Sequence, residues 1–291
     1  MTTAMSLLSS TRLRFVLTTL LLYAPLGQSD TVKEQLASDY TGKVLTLRHF
    51  YVGEHLKFRA DGTLEGDSPI GPWTVDGQLL VTEAKLQKSN LVIRGRRLIL
   101  LYDSKLKTFQ DSLTVVKNSD HKDRDVEKWL RALDVDIEIA LSTEKPEQKE
   151  VSAAMQAVFL TPGESMIDIT PACWRSYFEL QDHRPPKPQD PNNPVYTMSA
   201  NGSITPPRVT YDPEPEYSDA AREVKWQGTV LVSLVVEPTG TVRDVQIASP
   251  LGAGLDEKSV EAVSTWKFDP AQKDGKAVPL ALKVEATFHL Y

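Results

Sequence analysis

The residues able to do chemistry are few, and they are scattered. His49 and His55 flank a Gly53-Glu54 turn, a pattern that could place two imidazoles and a carboxylate around a metal. Hairpin histidines at this spacing are more commonly surface or core residues. Asp134, Asp136 and Glu138 fall on one face of a period-2 run, as a carboxylate cluster for a hard cation would, but no Gly-containing calcium loop accompanies them. They read as a solvated strand face. Gly163-Glu164-Ser165-Met166 lacks the second glycine of a nucleophile elbow, and the charged stretch around His121 has no triad-like arrangement. Asn201-Gly202-Ser203 matches a glycosylation sequon only at chance level. No phosphate-binding glycine loop and no Cys-x-x-Cys occurs. Cys173, the single cysteine, excludes an intramolecular disulfide and reads as a buried small hydrophobe. The residues give no support for an enzyme, and no catalytic, cofactor or metal site is assigned.

Composition bounds the chain without assigning a role: 41% hydrophobic and 25% charged residues are ordinary for a globular protein. The 291 residues suffice for about two domains, and a net charge of −6 argues against a nucleic-acid binder, which would show a basic stripe. Residues 1–29 read as a signal peptide. Arg12 and Arg14 precede an apolar run, Phe15 to Gly27, with Gly27 and Ser29 at the −3 and −1 positions of a cut before Asp30. The run is shorter than the roughly 20 residues of a bilayer-spanning helix. Cleavage would remove both arginines and take the charge from −6 to −8. An uncut inner-membrane anchor facing the periplasm is the alternative.

Residues 30–180 read as an α+β domain of unknown role with a β-rich first half. Short strands are expected from Thr41 to Asp103 as an antiparallel meander, including PWTV (Pro72 to Val75), with Asp61-Gly62 and Asp76-Gly77 as hairpin turns. DRDVEKWLRAL and EQKEVSAAMQAVFL carry helical periodicity, DVDIEIAL alternates as a strand, and ACWRSYFEL follows Pro171 as a further helix. Residues 181–216 hold nine prolines and read as a semi-rigid spacer, reaching at most roughly 110 Å. VYTMSANGSI in its middle is a candidate for local strand pairing.

Residues 217–291 are the most legible. Ser218 is an N-cap for YSDAAREVK. TVLVSLVVE is a buried strand, and TVRDVQIA returns with its alternation slipped between Val242 and Val245, the mark of a bulge. LDEKSVEAVSTWKF reads as a helix closed by Trp266 and stopped by Pro270, and Asp274-Gly275 turns the chain into the last strand. There Leu280, Leu282, Val284, Ala286, Phe288 and Leu290 share one face, and Lys283, Glu285, Thr287 and His289 the other. The expected fold is α+β, a small module with helices packed on an antiparallel sheet.

This order, with YSDAARE, the Gln-Gly-Thr-Val start, the second Gly-Thr-Val, the Leu-Asp helix start, Trp-Lys-Phe-x-Pro and Asp-Gly-Lys-x-Val in register, resembles the TonB C-terminal domain family over about residues 205–291. The family usually has Tyr-Pro where this chain has Tyr217-Ser218. The resemblance implies a periplasmic binding module. Its final strand, here Lys283, Val284, Glu285, Ala286, Thr287, Phe288 and His289, would accept an extended segment of an outer-membrane TonB-dependent transporter at the sheet edge. The same edge could pair two copies as a homodimer. A full energy transducer would add an N-terminal membrane helix; another reading makes the module an assembly device for a ligand-binding or enzymatic N-terminal domain.

Overall fold

The computed structural model describes residues 28–113, 133–185, 194–198 and 204–290. Residues 1–27 of the expected signal peptide (1–29), residues 123–132 of the helix expected from DRDVEKWLRAL, His121 and the Asn201 sequon lie outside the described residues. The fold is α+β.

The N-terminal unit begins with α1 (Gln28–Tyr40), whose Val32 and Leu36 are buried. Strands β1 (Val44–Thr46) and β2 (His55–Arg59) precede a single helical turn, α2 (Trp73–Asp76). Then come β3 (Gln78–Gln87), β4 (Asn90–Arg97), β5 (Leu100–Asp103), β6 (Thr108–Asp111) and β7 (Asp134–Ala140). The main sheet has the order β1-β3-β4-β7-β2, and β5-β6 form a separate hairpin. Helix α3 (Gln148–Val158) turns Val151, Ala154, Met155 and Val158 into the core, as its periodicity predicts. A 3-10 turn (Ala172–Trp174) leads into α4 (Arg175–Gln181).

Two expectations for this unit are corrected. PWTV is not a strand: Pro72 precedes a helical turn in which the Gly77 N–H donates to the Trp73 carbonyl, and Gly77 sits at φ −83°, so Asp76-Gly77 is no hairpin turn. Nor is the β-rich half a simple antiparallel meander. β2 pairs in parallel with β7, from His55↔Asp136 to Arg59↔Ala140. That long-range pairing buries Leu56 and Phe58 beside Ile137 and Ile139 in one core, which a local hairpin with β1 would not. The tight β3–β4 hairpin runs instead through Lys88-Ser89, with Lys88 at φ 54°.

Three short strands in the Pro-rich segment, β8 (Tyr196–Thr197), β9 (Ile204–Thr205) and β10 (Arg208–Tyr211), pair with the C-terminal module and not with one another. That module comprises α5 (Asp219–Glu223), β11 (Gly228–Val236), β12 (Val242–Ser249), α6 (Leu255–Val263), β13 (Lys267–Asp269), β14 (Gln272–Lys273), β15 (Lys276–Ala277) and β16 (Leu280–Phe288). Its sheet has the order β12-β11-β16-β8. Ser218 caps α5 by accepting from the Ala221 N–H at 3.1 Å. The expected bulge is present: the register with β11 shifts between Ser233 and Val235, opposite Asp244 at φ 50°. Asp274 (φ 51°) and Gly275 (φ 75°) form the tight turn between β14 and β15. The helix expected to reach Trp266 ends at Val263. Lys267–Asp269 becomes β13 because β10 supplies a partner strand, and the half-buried Trp266 donates its indole N–H to the Pro213 carbonyl at 3.2 Å.

The two units share their cores. Ile247 of β12 packs into the N-terminal cluster, while Ile99, Leu101 and Leu133 pack into the C-terminal one. Main-chain bonds seal the junction: Ala253 N–H to Leu100 O at 2.8 Å and Tyr102 N–H to Leu251 O at 3.0 Å. The Gly254 N–H adds a bond to Thr74 Oγ1 at 2.9 Å. Gly252 has φ +90°, and a Cβ there would lie 2.2 Å from the Leu100 carbonyl oxygen. We expect Gly252→Ala to lower stability by about 2–4 kcal/mol through clash and left-handed strain together. Gly42→Ala is the control. It has a similar φ of +76° but nothing within 4 Å of its Cβ, so it should lose only about 1–2 kcal/mol. Urea unfolding of both variants checks the difference.

A candidate protein-binding edge

β16 is a strand because five apolar side chains, Leu280, Leu282, Val284, Ala286 and Phe288, alternate along it and β11 offers a full-length partner. The two pair antiparallel over nine positions, from Gly228↔Phe288 to Val236↔Leu280. Leu280, Ala286 and Phe288 are buried, and Leu282 and Val284 are half-buried against the same core. The Phe288 ring meets Tyr217 edge-to-face at 5.4 Å. Lys283, Glu285 and Thr287 are exposed, and the Thr287 hydroxyl lies 3.1 Å from that of Thr229.

The second side of β16 is where sequence and structure differ in part. Leu280 and Ala281 are already paired, in parallel, with Tyr196 and Thr197. Among the described residues no strand pairs with Leu282–Phe288 on that side. Among the described residues, six of the expected partner-binding residues, Lys283 to Phe288, therefore have no strand beside them on that side; His289 lies just past the strand. An unpaired strand edge presents N–H and C=O groups to any extended chain.

The opposite edge is obstructed. Residues 172–181 fold around β12. On the helix side Trp174 donates its indole N–H to Glu257 Oε1 of α6 at 2.8 Å. The backbone N–H and hydroxyl of Ser176 each donate to Gln246 Oε1 at 3.3 Å. A groove of about 740 Å³, lined by Arg175, Tyr177, Leu180, Gln246 and Lys283 among others, runs from α4 to β16.

Under this wrap lies a buried polar cluster not singled out in the sequence. Asp256 is fully buried, and its carboxylate accepts from the backbone N–H groups of Leu251 (2.7 Å) and Gly252 (2.8 Å). The sequence places Asp256 at the start of α6; its role in bracing the preceding loop was not visible there. Glu257 Oε1 takes the Trp174 bond, while Oε2 is enclosed and has no hydrogen-bond partner among the described residues. Desolvation raises the pKa of both carboxyls. Two backbone donors oppose the shift at Asp256, whereas the negative charge of Asp256 adds to it at Glu257. Glu257 is therefore the group that keeps its proton near neutrality, its pKa pushed up to about 8. Asp76 is pushed up to about 6 by burial, against the pull of Arg97. Arg97 bonds Asp76 Oδ1 at 3.1 Å and the carbonyls of Asp76, Tyr51 and Gly53.

The remaining sequence candidates do not converge. His55 lies 3.9 Å from Asp136, while His49 stacks near Tyr51 at 5.8 Å between ring centres. Asp134 pairs with Arg96 (2.8 Å), Asp136 also with Arg94 (3.4 Å) and Glu138 with Lys57 (3.8 Å). They form a row of exposed ion pairs, each contributing about 0–1 kcal/mol. Among the described residues no group of His, Cys, Asp and Glu is arranged to hold a metal. Glu164 of the GESM stretch is an ion-pair partner of Arg48, whose hydrogen bonds lower its pKa to about 2. Cys173 is half-buried, and desolvation pushes its thiol up to about 12. No described helix is long and apolar enough to cross a membrane.

Residues 213–290 match the family described as Gram-negative bacterial TonB protein C-terminal, and this module is a TonB C-terminal domain. Protein tonB2 of Pseudomonas aeruginosa is 35% identical over 81 residues, covering 28% of this chain and 30% of that protein. Protein TonB of Vibrio cholerae is 28% identical over 110 residues, covering 35% of this chain and 44% of that protein. The chain thus spans less than half the length of either relative.

The buried carboxyls set a pH dependence. A carboxyl raised from 4.5 to about 8 stabilises the fold fully below pH 4.5 and loses that contribution as pH rises through 8. Glu257→Gln keeps an acceptor for Trp174 and cannot ionise. Thermal unfolding between pH 5 and 8.5 should show a Tm that falls more steeply for the wild type than for Glu257→Gln. Asp256 and Asp76 retain their own share of the slope.

Proposed function

We propose that this chain is a TonB-type protein of the cell envelope whose C-terminal module binds an extended segment of an outer-membrane transporter by strand addition to β16. The observation that carries the reading is that, among the described residues, no strand pairs with Leu282 to Phe288 on one side of the module, while residues 172–181 pack against β12 on the other. Main-chain bonds would supply affinity, and the outward Lys283, Glu285 and Thr287 the selectivity. The TonB names of its relatives agree with this role. The N-terminal unit shares core residues with the module and packs against β12, on the side away from that edge.

Export with cleavage before Asp30 makes the protein periplasmic; an uncut N-terminus would make it an inner-membrane-anchored energy transducer. Mass spectrometry of the protein from the envelope fraction separates these two. Neither reading needs a cofactor or an enzymatic activity.

A peptide array of the periplasm-facing N-terminal segments of outer-membrane receptors from the same genome tests the binding. We expect at least one segment to bind the full chain. N-methylating alternate amides of that peptide should weaken binding about tenfold or more, because each lost main-chain bond is worth about 0.5–1.5 kcal/mol. Equal binding by the methylated peptide would rule out strand addition.

A further inference from the structure

The Pro-rich segment reaches the edge just described. Tyr196 and Thr197 take the pairing positions of Leu280 and Ala281, and the Tyr196 N–H donates to the Pro279 carbonyl at 3.0 Å. The Lys273 ammonium lies 4.6 Å from the centre of the Tyr196 ring. Tyr196 is half-buried and Thr197 exposed, so these two residues rest on a few solvent-facing contacts, unlike the core strands. β9 and β10 hold the same segment to β14 and β13. If β8 lets go, it stays tethered beside its site at high effective concentration.

We infer that β8 is a displaceable guard on the partner-binding edge, an inference that rests on β16 being that edge. A backbone edge accepts one strand at a time. An incoming strand that takes the full length of β16 has to expel Tyr196–Thr197, and one that does not is confined to Leu282–Phe288. The guard also opposes pairing between two copies. Two β16 strands packed antiparallel about Val284 would set Leu280 of one copy opposite Phe288 of the other, where each guard already stands. The connector thus keeps a long unpaired edge from self-association while a competing partner can still open it.

The test uses the full chain in three forms: wild type, Tyr196→Pro, and Thr197→Cys combined with Ala281→Cys. Proline removes both the donor to Pro279 and the ring over Lys273. The paired cysteines sit on neighbouring strands at about 4.8 Å, within reach of a disulfide, and Cys173, with its thiol held protonated, does not compete. Each form is titrated with the receptor segments of the array and sedimented alone. We expect Tyr196→Pro to bind about threefold or more tightly, and the oxidised lock about tenfold more weakly with recovery on reduction, since apparent affinity scales with the open fraction. Equal peptide affinity in all three forms overturns the guard and leaves the edge reading intact. If no peptide binds any form, yet Tyr196→Pro self-associates where the wild type is monomeric, the guard stands and the receptor reading falls. If no peptide binds and sedimentation is unchanged, both fall.

Discussion

The structure depends on a backbone contact between two parts of the chain. Gly252 brings the loop before α6 so close to Leu100 that no side chain fits between them, and the neighbouring main-chain groups of Leu100, Tyr102, Leu251 and Ala253 bond across the gap. Around this seam each unit lends apolar residues to the other's core. A hydrophobic interface alone could slide, because apolar contact is non-directional. Directional main-chain bonds at a position open only to glycine fix the angle. That angle wraps residues 172–181 around β12 and turns β16 outward.

The same seam encloses three carboxyls whose pKa burial raises. Asp76, Asp256 and Glu257 are enclosed with Arg97 as the cationic partner among them. Arg97 is well satisfied by one carboxylate and three carbonyls, and Asp256 by two backbone N–H groups. Glu257 has Trp174 and little else. A buried charge without a partner is expensive, so the group stays neutral instead. Burial thus raises the pKa of the junction carboxyls, although nothing in the composition or spacing of the acidic residues marks it.

The residues with catalytic potential behave differently. The carboxylates of β7 meet arginine and lysine on adjacent strands, and the histidines stand apart. Their chemistry is spent on surface ion pairs. The proposed function rests instead on backbone groups of β16, to which the motifs of the C-terminal module point only through the family resemblance.

Local sequence determined what local physics controls. The alternation in Leu280–Phe288, the slip at Asp244, the Ser218 cap, the Asp274-Gly275 turn and the helical stripe of α3 were all legible, because each is decided by residues within one or two turns of chain. PWTV and the tail of α6 were misread, because Pro72 and the distant β10 decide them. The partner of β2, the pairing of β8 with Leu280–Ala281, the wrapping of β12 and the raised Glu257 were not legible, although VYTMSANGSI was a strand candidate. Each arises where residues far apart in the chain compete for the same backbone edge or the same low-dielectric space. Alternation says which side chains of β16 face inward; only the packing of the whole chain decides which of its hydrogen-bonding groups are left for a partner.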